Sequence, residues 1–184
     1  MELNRIYNES NTETLKRLDD KSVDVVLTSP FYNTNKKAGK KSTLLNTKTK
    51  EGQYEYVRYD VFVDNMTDKE YSDYTIDLFN SFDRVLKDNG VVLWNISYGQ
   101  EGVSKLLQLL SRITLETAFD CADIITWHKS NALPNVCSSN KLTRICEYVF
   151  VFCRKKEFYT FFSNKTVTSV RKGTKQKMYS SIPN

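Results

Sequence analysis

A chain of 184 residues holds one ordinary domain and excludes two comfortable ones, and its hydrophobic share of 40% suits a globular protein. A net charge of +5 and a pI near 8.9 suit a polyanionic partner, although ribosome-associated and merely well-solvated proteins share such basicity. Cys121, Cys137, Cys146 and Cys153 form no Cys-x-x-Cys pair, and His128 is the only histidine. That spacing argues against a metal and for reduced thiols in a cytoplasmic protein. Met1-Glu2-Leu3-Asn4-Arg5 has no apolar signal-peptide core and no stretch approaches membrane-spanning length, so the expected location is the cytoplasm.

In chain order, Leu3 to Tyr7 reads as a short strand and Thr12 to Leu18 as a short helix with Leu15 and Leu18 on one face. Asp19 to Ser22 turns the chain into Val23-Asp24-Val25-Val26-Leu27-Thr28-Ser29-Pro30-Phe31-Tyr32-Asn33, a buried strand that stops in a polar pair, a proline and two aromatics. Open α/β sheets keep their chemistry at such strand ends. The cluster suits an extruded nucleobase: Tyr32, or alternatively Phe31, supplies a stacking ring. The Ser29 hydroxyl and the Pro30 carbonyl supply acceptors for an exocyclic amine.

From Asn33 to Arg58 periodicity vanishes and lysines accumulate, which reads as a long, mobile, basic loop. Thr67-Asp68-Lys69-Glu70 is a capping box opening a core helix through Tyr71, Tyr74, Leu78, Phe82, Val85 and Leu86, with Asn89-Gly90 as its expected end. Val91 to Ile96 follows as a strand covered on both faces, and helix plus strand recur in Val103 to Thr117 and Ala122 to Trp127. Tyr148 to Cys153 and Phe158 to Phe162 read as an antiparallel hairpin turning at Arg154-Lys155-Lys156-Glu157. His128 reads as a packed histidine and Glu147 as a partner for Arg144 or part of a functional loop. Alternation of strands and helices gives the fold class α/β, a partial doubly wound, Rossmann-like sheet, mostly parallel with a C-terminal antiparallel hairpin. Residues 163–184, basic and without an acid, are expected to be a poorly ordered tail.

Thr28-Ser29-Pro30-Phe31-Tyr32-Asn33 resembles the catalytic motif of the DNA amino-methyltransferases, which is Asp, Asn or Ser, then Pro-Pro, then an aromatic. Phe31 stands where that family has its second proline. Ile6 to Asp24 is similar to the segment before the motif, with Glu9-Ser10 where Gly-Asp is common. Arg84 to Val92 looks like the helix-turn-strand of many methyltransferases, and Trp127 to Phe152 is similar to a Trp-x-Lys-x-Asn-x-x-Pro loop leading to an Arg-x-x-Glu-Tyr strand. The Phe-x-Gly-x-Gly turn that receives the cofactor is absent from the chain, whose six glycines include no Gly-x-Gly pair. The resemblance is therefore to the front part of the permuted class, in which the catalytic motif precedes the cofactor motif.

This resemblance implies transfer of a methyl group from S-adenosyl-L-methionine to an exocyclic amine of a flipped base, with N6-adenine slightly favoured over N4-cytosine. Residues 1–162 are then the catalytic-motif half of a methyltransferase domain, with a basic loop at 33–58 and a DNA-facing loop at 129–141. The implied roles are catalysis for Ser29, Pro30 and Tyr32, base stacking or pocket for Phe31 and Asn33, and cofactor contact for Ser10 and Thr28. DNA contact falls to Lys36, Lys37, Lys40, Lys41, Lys129, Lys141 and Arg144. No metal and no membrane are expected. Partners are DNA and, for activity, a second segment or chain carrying the cofactor-binding half. The alternatives are a non-catalytic DNA-binding module or split-enzyme subunit, and methylation of a planar amine in RNA or protein.

Overall fold

The computed structural model describes residues 2, 4–33, 41–42, 56–57, 66–96, 103–130, 145–160, 166–170, 173 and 177–180. Its elements in chain order begin with α1 (Asn11–Arg17), β1 (Val23–Thr28), β2 (Lys41–Ser42), β3 (Tyr56–Val57) and α2 (Asp68–Val85). They continue with β4 (Leu86–Ile96), α3 (Val103–Glu116), β5 (Phe119–His128), β6 (Cys146–Arg154), a 3-10 turn (Lys155–Thr160), β7 (Thr166–Val170) and β8 (Lys177–Ser180).

The main sheet has four strands in the order β1-β4-β6-β5. β1 runs parallel to β4, with Val25 opposite Val91 and Thr28 opposite Trp94. β6 lies antiparallel to both β4 and β5. Three of the four strands thus point the same way and the reversed β6 is inserted among them, so the α/β class holds but the sheet is mixed: two of its three pairings are antiparallel, where a mostly parallel sheet was expected. The antiparallel hairpin is a different one from that expected: β6 pairs with β5 before it, and residues 158–160 belong to the 3-10 turn.

The core lies between the sheet and the helices. Phe79 of α2 is fully buried and stands at its centre, with ring centroids 5.5 Å from Phe82, 5.2 Å from Trp94, 5.5 Å from Phe119 and 5.0 Å from Phe152. Leu15 of α1 and Leu106, Leu109 and Ile113 of α3 complete the cluster. The apolar spacing in α2 and α3 puts these residues on one helical stripe, which is what lets each helix bury a face.

The expected capping box forms. Thr67 Oγ1 accepts from the Glu70 backbone N–H at 3.2 Å, and the Glu70 carboxylate accepts from the Thr67 backbone N–H at 2.8 Å. Thr67→Ala should therefore cost about 1 kcal/mol, measurable as a shift in the urea midpoint. The hydrogen bonds from the Thr67 backbone and side chain hold the Glu70 carboxyl below its ordinary range. Its contribution to stability is fully present above the ordinary pKa of 4.5 and lost as pH falls through the depressed folded value. Thr67→Ala should flatten that acid limb of the stability curve.

The other end of α2 departs from expectation. The helix stops at Val85, and Asn89, with a left-handed φ of 63°, sits in an irregular stretch of β4 between Leu86, opposite Val23, and Val91, opposite Val25. The cause lies far along the chain. The buried Arg154 guanidinium donates to the carbonyls of Asp83 at 2.6 Å, Leu86 at 2.8 Å and Lys87 at 2.9 Å, while the Glu157 carboxylate accepts from the Asn89 N–H at 3.0 Å. Arg154 and Glu157 thus cap a distant helix end rather than form an exposed hairpin turn.

Three other expectations are corrected. Asn4 to Tyr7 form no ladder, and Ile6 is wholly exposed. Within the 33–58 loop, Lys41–Ser42 pairs antiparallel with Tyr56–Val57. The tail carries an antiparallel pair, β7 with β8, because four β-branched residues in Thr166-Val167-Thr168-Ser169-Val170 favour a strand despite the surrounding charge.

Candidate amine-recognition site

β1 pairs only with β4, so its outer edge carries no partner among the described residues, and the expected buried strand is corrected: none of its residues is fully buried, and Val25 and Leu27 are exposed on one face. Pro30, with no N–H to offer, ends ladder pairing beyond Thr28, and Asn33 turns the chain with a φ of 49°. The loop between them is pinned to the start of α2. The Phe31 ring lies 5.2 Å from Tyr71 and 5.5 Å from Tyr74, the Tyr71 hydroxyl donates to Phe31 O at 2.7 Å, and Asn33 Nδ2 donates to Met66 O at 2.7 Å.

With Phe31 engaged by α2, Tyr32 is the ring left beside Ser29. Ser29 is exposed and Tyr32 half-buried, and their hydroxyl oxygens are 3.2 Å apart. Asn95 of β4 reaches both: its Oδ1 accepts from Ser29 Oγ at 3.2 Å and from Tyr32 Oη at 3.1 Å. Its Nδ2 donates to Tyr148 O on β6 at 3.3 Å. The Pro30 carbonyl accepts no hydrogen bond from the described residues.

The cluster is uncharged, and neither hydrogen-bond partner of Ser29 is a His or Lys able to take its proton. It is built to accept and orient, not to attack. Sequence reading passed over Asn95, whose signal is that it alone is polar in the apolar run Val91 to Ile96.

Other expected site residues fall elsewhere. Thr28 is half-buried at the end of β1. Ser10 occupies the N-cap position of α1, its hydroxyl 2.8 Å from Thr12 Oγ1. The adjoining Asn11 Nδ2 donates to Tyr74 Oη at 2.9 Å, which ties this end of α1 to the tyrosine that packs on Phe31. Asn33 Oδ1 is buried without a partner among the described residues.

Lys129 pairs with Glu147, while a pairing of Glu147 with Arg144 falls outside the described residues. His128 is exposed on the edge strand β5 rather than packed inside. Lys41 lies in β2, while Lys36, Lys37, Lys40, Lys141 and Arg144 lie outside the described residues.

Cys121, Cys146 and Cys153 are free thiols, and Cys137 lies outside the described residues. Burial, with the nearby Glu157 carboxylate and Cys121, pushes the Cys153 thiol up to about 11. Such a thiol is a poor nucleophile at neutral pH. Among the described residues no helix is long and apolar enough to cross a membrane, and no His, Cys, Asp or Glu cluster could hold a metal ion.

A profile of the DNA methylase family matches residues 23–182. The chain is 30% identical over 149 residues to the type II methyltransferase M.MwoI of Methanothermobacter wolfeii, a match covering 78% of this chain and 20% of that protein. The fold is similar to that of the cytosine-N4-specific PvuII DNA methyltransferase, with a TM-score of 0.54, 18% identity, and coverage of 79% of this chain and 47% of that one. A structure of M1.HpyAVI in complex with SAM aligns with a TM-score of 0.48 and 16% identity over 83% of this chain and 54% of that one. The matched region thus spans about a fifth of the curated relative's length and under half of the PvuII enzyme's.

Proposed function

We propose, from the premise that this chain belongs to the DNA methylase family, that it carries the amine-recognition part of a site-specific DNA methyltransferase acting on adenine N6 or cytosine N4. The observation that carries this reading is the shared hydrogen bonding of Ser29, Tyr32 and Asn95 at the end of β1, beside a Pro30 carbonyl that has no partner among the described residues.

An exocyclic amine is a weak nucleophile because its lone pair is conjugated into the ring. Accepting its two hydrogens at Ser29 Oγ and Pro30 O draws the nitrogen toward a tetrahedral shape and frees that lone pair on the side away from the acceptors. Tyr32, stacked on the base, offsets part of the cost of extruding it, roughly 1–3 kcal/mol on the scale of base–aromatic contacts. Holding the amine in one attitude is where the rate comes from, since near-attack positioning removes most of the entropic barrier.

S-adenosyl-L-methionine is the methyl donor we assign to the complete enzyme, but the described residues do not make its seat. A close backbone cradle for such a group needs glycines facing open space. A Cβ on Gly90 would meet Leu86 Cδ2 and Lys87 O at 3.0 Å, so that glycine serves strand packing. Gly173, with a φ of +99°, has nothing within 4 Å, but it is a lone glycine with no second one beside it in the chain to complete a cradle. The donor's seat is therefore assigned to a further segment or a second chain, for which the unpaired edge of β1, with exposed Val25 and Leu27, is the natural junction. Calorimetry of this chain with S-adenosyl-L-methionine should give no tight binding, and tight binding would refute that assignment.

The test of the activity is incorporation of labelled methyl groups into DNA by the complete enzyme, followed by nucleoside analysis. N6-methyladenine or N4-methylcytosine is the expected product; label in RNA or protein alone would reject the reading. DNA binding should weaken as salt rises, with each phosphate contact adding about −0.9 to the slope of log K against log salt. Replacing Lys36 and Lys37 together by alanine should reduce the magnitude of that slope by about 2, and an unchanged slope would remove both from the DNA interface.

A further inference from the structure

The geometry points to Asn95 as the positioning residue that turns the Ser29 and Tyr32 hydroxyl protons inward, so that Ser29 presents lone pairs, not a proton, to the target amine. This rests on the reading of the site above and adds to it the residue that sets the site's polarity. A serine hydroxyl alone is ambiguous: it can accept from an amine or donate to it, according to where its proton points. Donating to the amine nitrogen would occupy the lone pair that must react.

Three contacts remove the ambiguity. Tyr148 O can only accept, so the Asn95 amide must turn its NH2 toward it, as the 3.3 Å Nδ2 contact has it. This leaves Oδ1 facing the site, where it also can only accept. Ser29 Oγ at 3.2 Å and Tyr32 Oη at 3.1 Å therefore supply its hydrogens, or one hydroxyl donates to the other across the 3.2 Å between them and the second donates to Oδ1; in each arrangement the Ser29 proton lies inside the cluster. The Ser29 oxygen keeps a lone pair for an outside donor.

The strand architecture holds the relay in place. Asn95 sits in β4 between the site strand β1 and the reversed strand β6, with Val149 opposite it across the β4–β6 ladder. A slip of β6 by one residue would remove the carbonyl that orients the amide. Each of the three bonds is slightly longer than the usual range, so their joint effect on direction matters more than their individual strength.

The test is a double-mutant cycle on kcat and KM in the complete enzyme. Asn95→Leu removes the acceptor at similar volume and should lower kcat about tenfold to a hundredfold while KM for DNA stays within about twofold. In a Ser29→Ala background, where the acceptor that faces the amine is gone and only the Tyr32 hydroxyl remains on Asn95, Asn95→Leu should change kcat by less than about threefold. Asn95→Ser, small and polar with its oxygen withdrawn from both hydroxyls, gives the same comparison if the leucine variant does not fold by circular dichroism. Effects that multiply across the cycle, or a wild-type kcat for Asn95→Leu, would overturn the role of Asn95 while leaving the site intact. A wild-type kcat for Ser29→Ala would instead overturn the reading of the site itself.

Discussion

Ser29→Ala, introduced into the complete enzyme, is expected to lower kcat for methyl transfer by at least about a hundredfold while stability moves by less than about 1 kcal/mol. The asymmetry follows from position. Ser29 is exposed beyond the last paired residue of β1, and among the described residues its side chain bonds only Tyr32 and Asn95, so little of the fold depends on it. A net neutral hydrogen bond is worth about 1 kcal/mol to stability. The same oxygen facing an amine whose charge changes during reaction is worth more, on the scale of about 2.7–4 kcal/mol seen when one such preorganised group is removed.

Tyr32→Ala should act in the same direction and also weaken capture of the flipped base, because it removes the ring as well as the hydroxyl. Tyr32→Phe separates the two: it keeps the ring, so base capture should survive while kcat falls. Near-normal rates in both Ser29→Ala and Tyr32→Ala would remove the assignment of these residues.

Phe79→Ala is expected to destabilise the fold by about 3–5 kcal/mol, a large share of the roughly 5–15 kcal/mol that holds a domain together. Its ring joins the helix to the sheet: Phe82 on its own helix, Trp94 on β4, Phe119 on β5 and Phe152 on β6 all meet it edge-on or tilted at 5.0–5.5 Å. Removing it leaves a void bordered by α2 and three strands, and the ring–ring attraction forfeited at each border adds to the transfer cost. In a chain of this length the loss corresponds to a fall in Tm of roughly 6–20 °C. A fall of under about 2 °C in calorimetry would show that the core collapses around the gap. Leu107→Ala, at an exposed position on α3, should stay within about 0.5 kcal/mol of the parent and serves as the control.

What could be read in the sequence was local. The capping box at Thr67–Glu70, the apolar stripe of α2 and the abrupt end of β1 at Ser29-Pro30 each depend on neighbours within a few residues, and each stands where it was expected. What could not be read was long-range. Asn89-Gly90 resembles a helix end in isolation, but α2 stops at Val85 because Arg154, about seventy positions later, binds the carbonyls of Asp83, Leu86 and Lys87.

The same holds for the sheet. The apolar run of β6 is legible as a strand, whereas its insertion between β4 and β5 is decided by pairing partners that carry no local mark. The candidate site was legible in the residues of one loop and not in Asn95, which reaches it only because β4 lies beside β1. Lys129 shows the same thing: its pairing with Glu147, eighteen positions later, carries no local mark in the basic stretch around it.

A crystal structure of the complete enzyme bound to its DNA substrate would test the central claim most directly. The target base should be out of the duplex, its ring against Tyr32, and its exocyclic nitrogen about 2.7–3.2 Å from both Ser29 Oγ and Pro30 O. A base left stacked in the helix, or an extruded base whose amine is held by other groups with Ser29 and Pro30 out of reach, would contradict it.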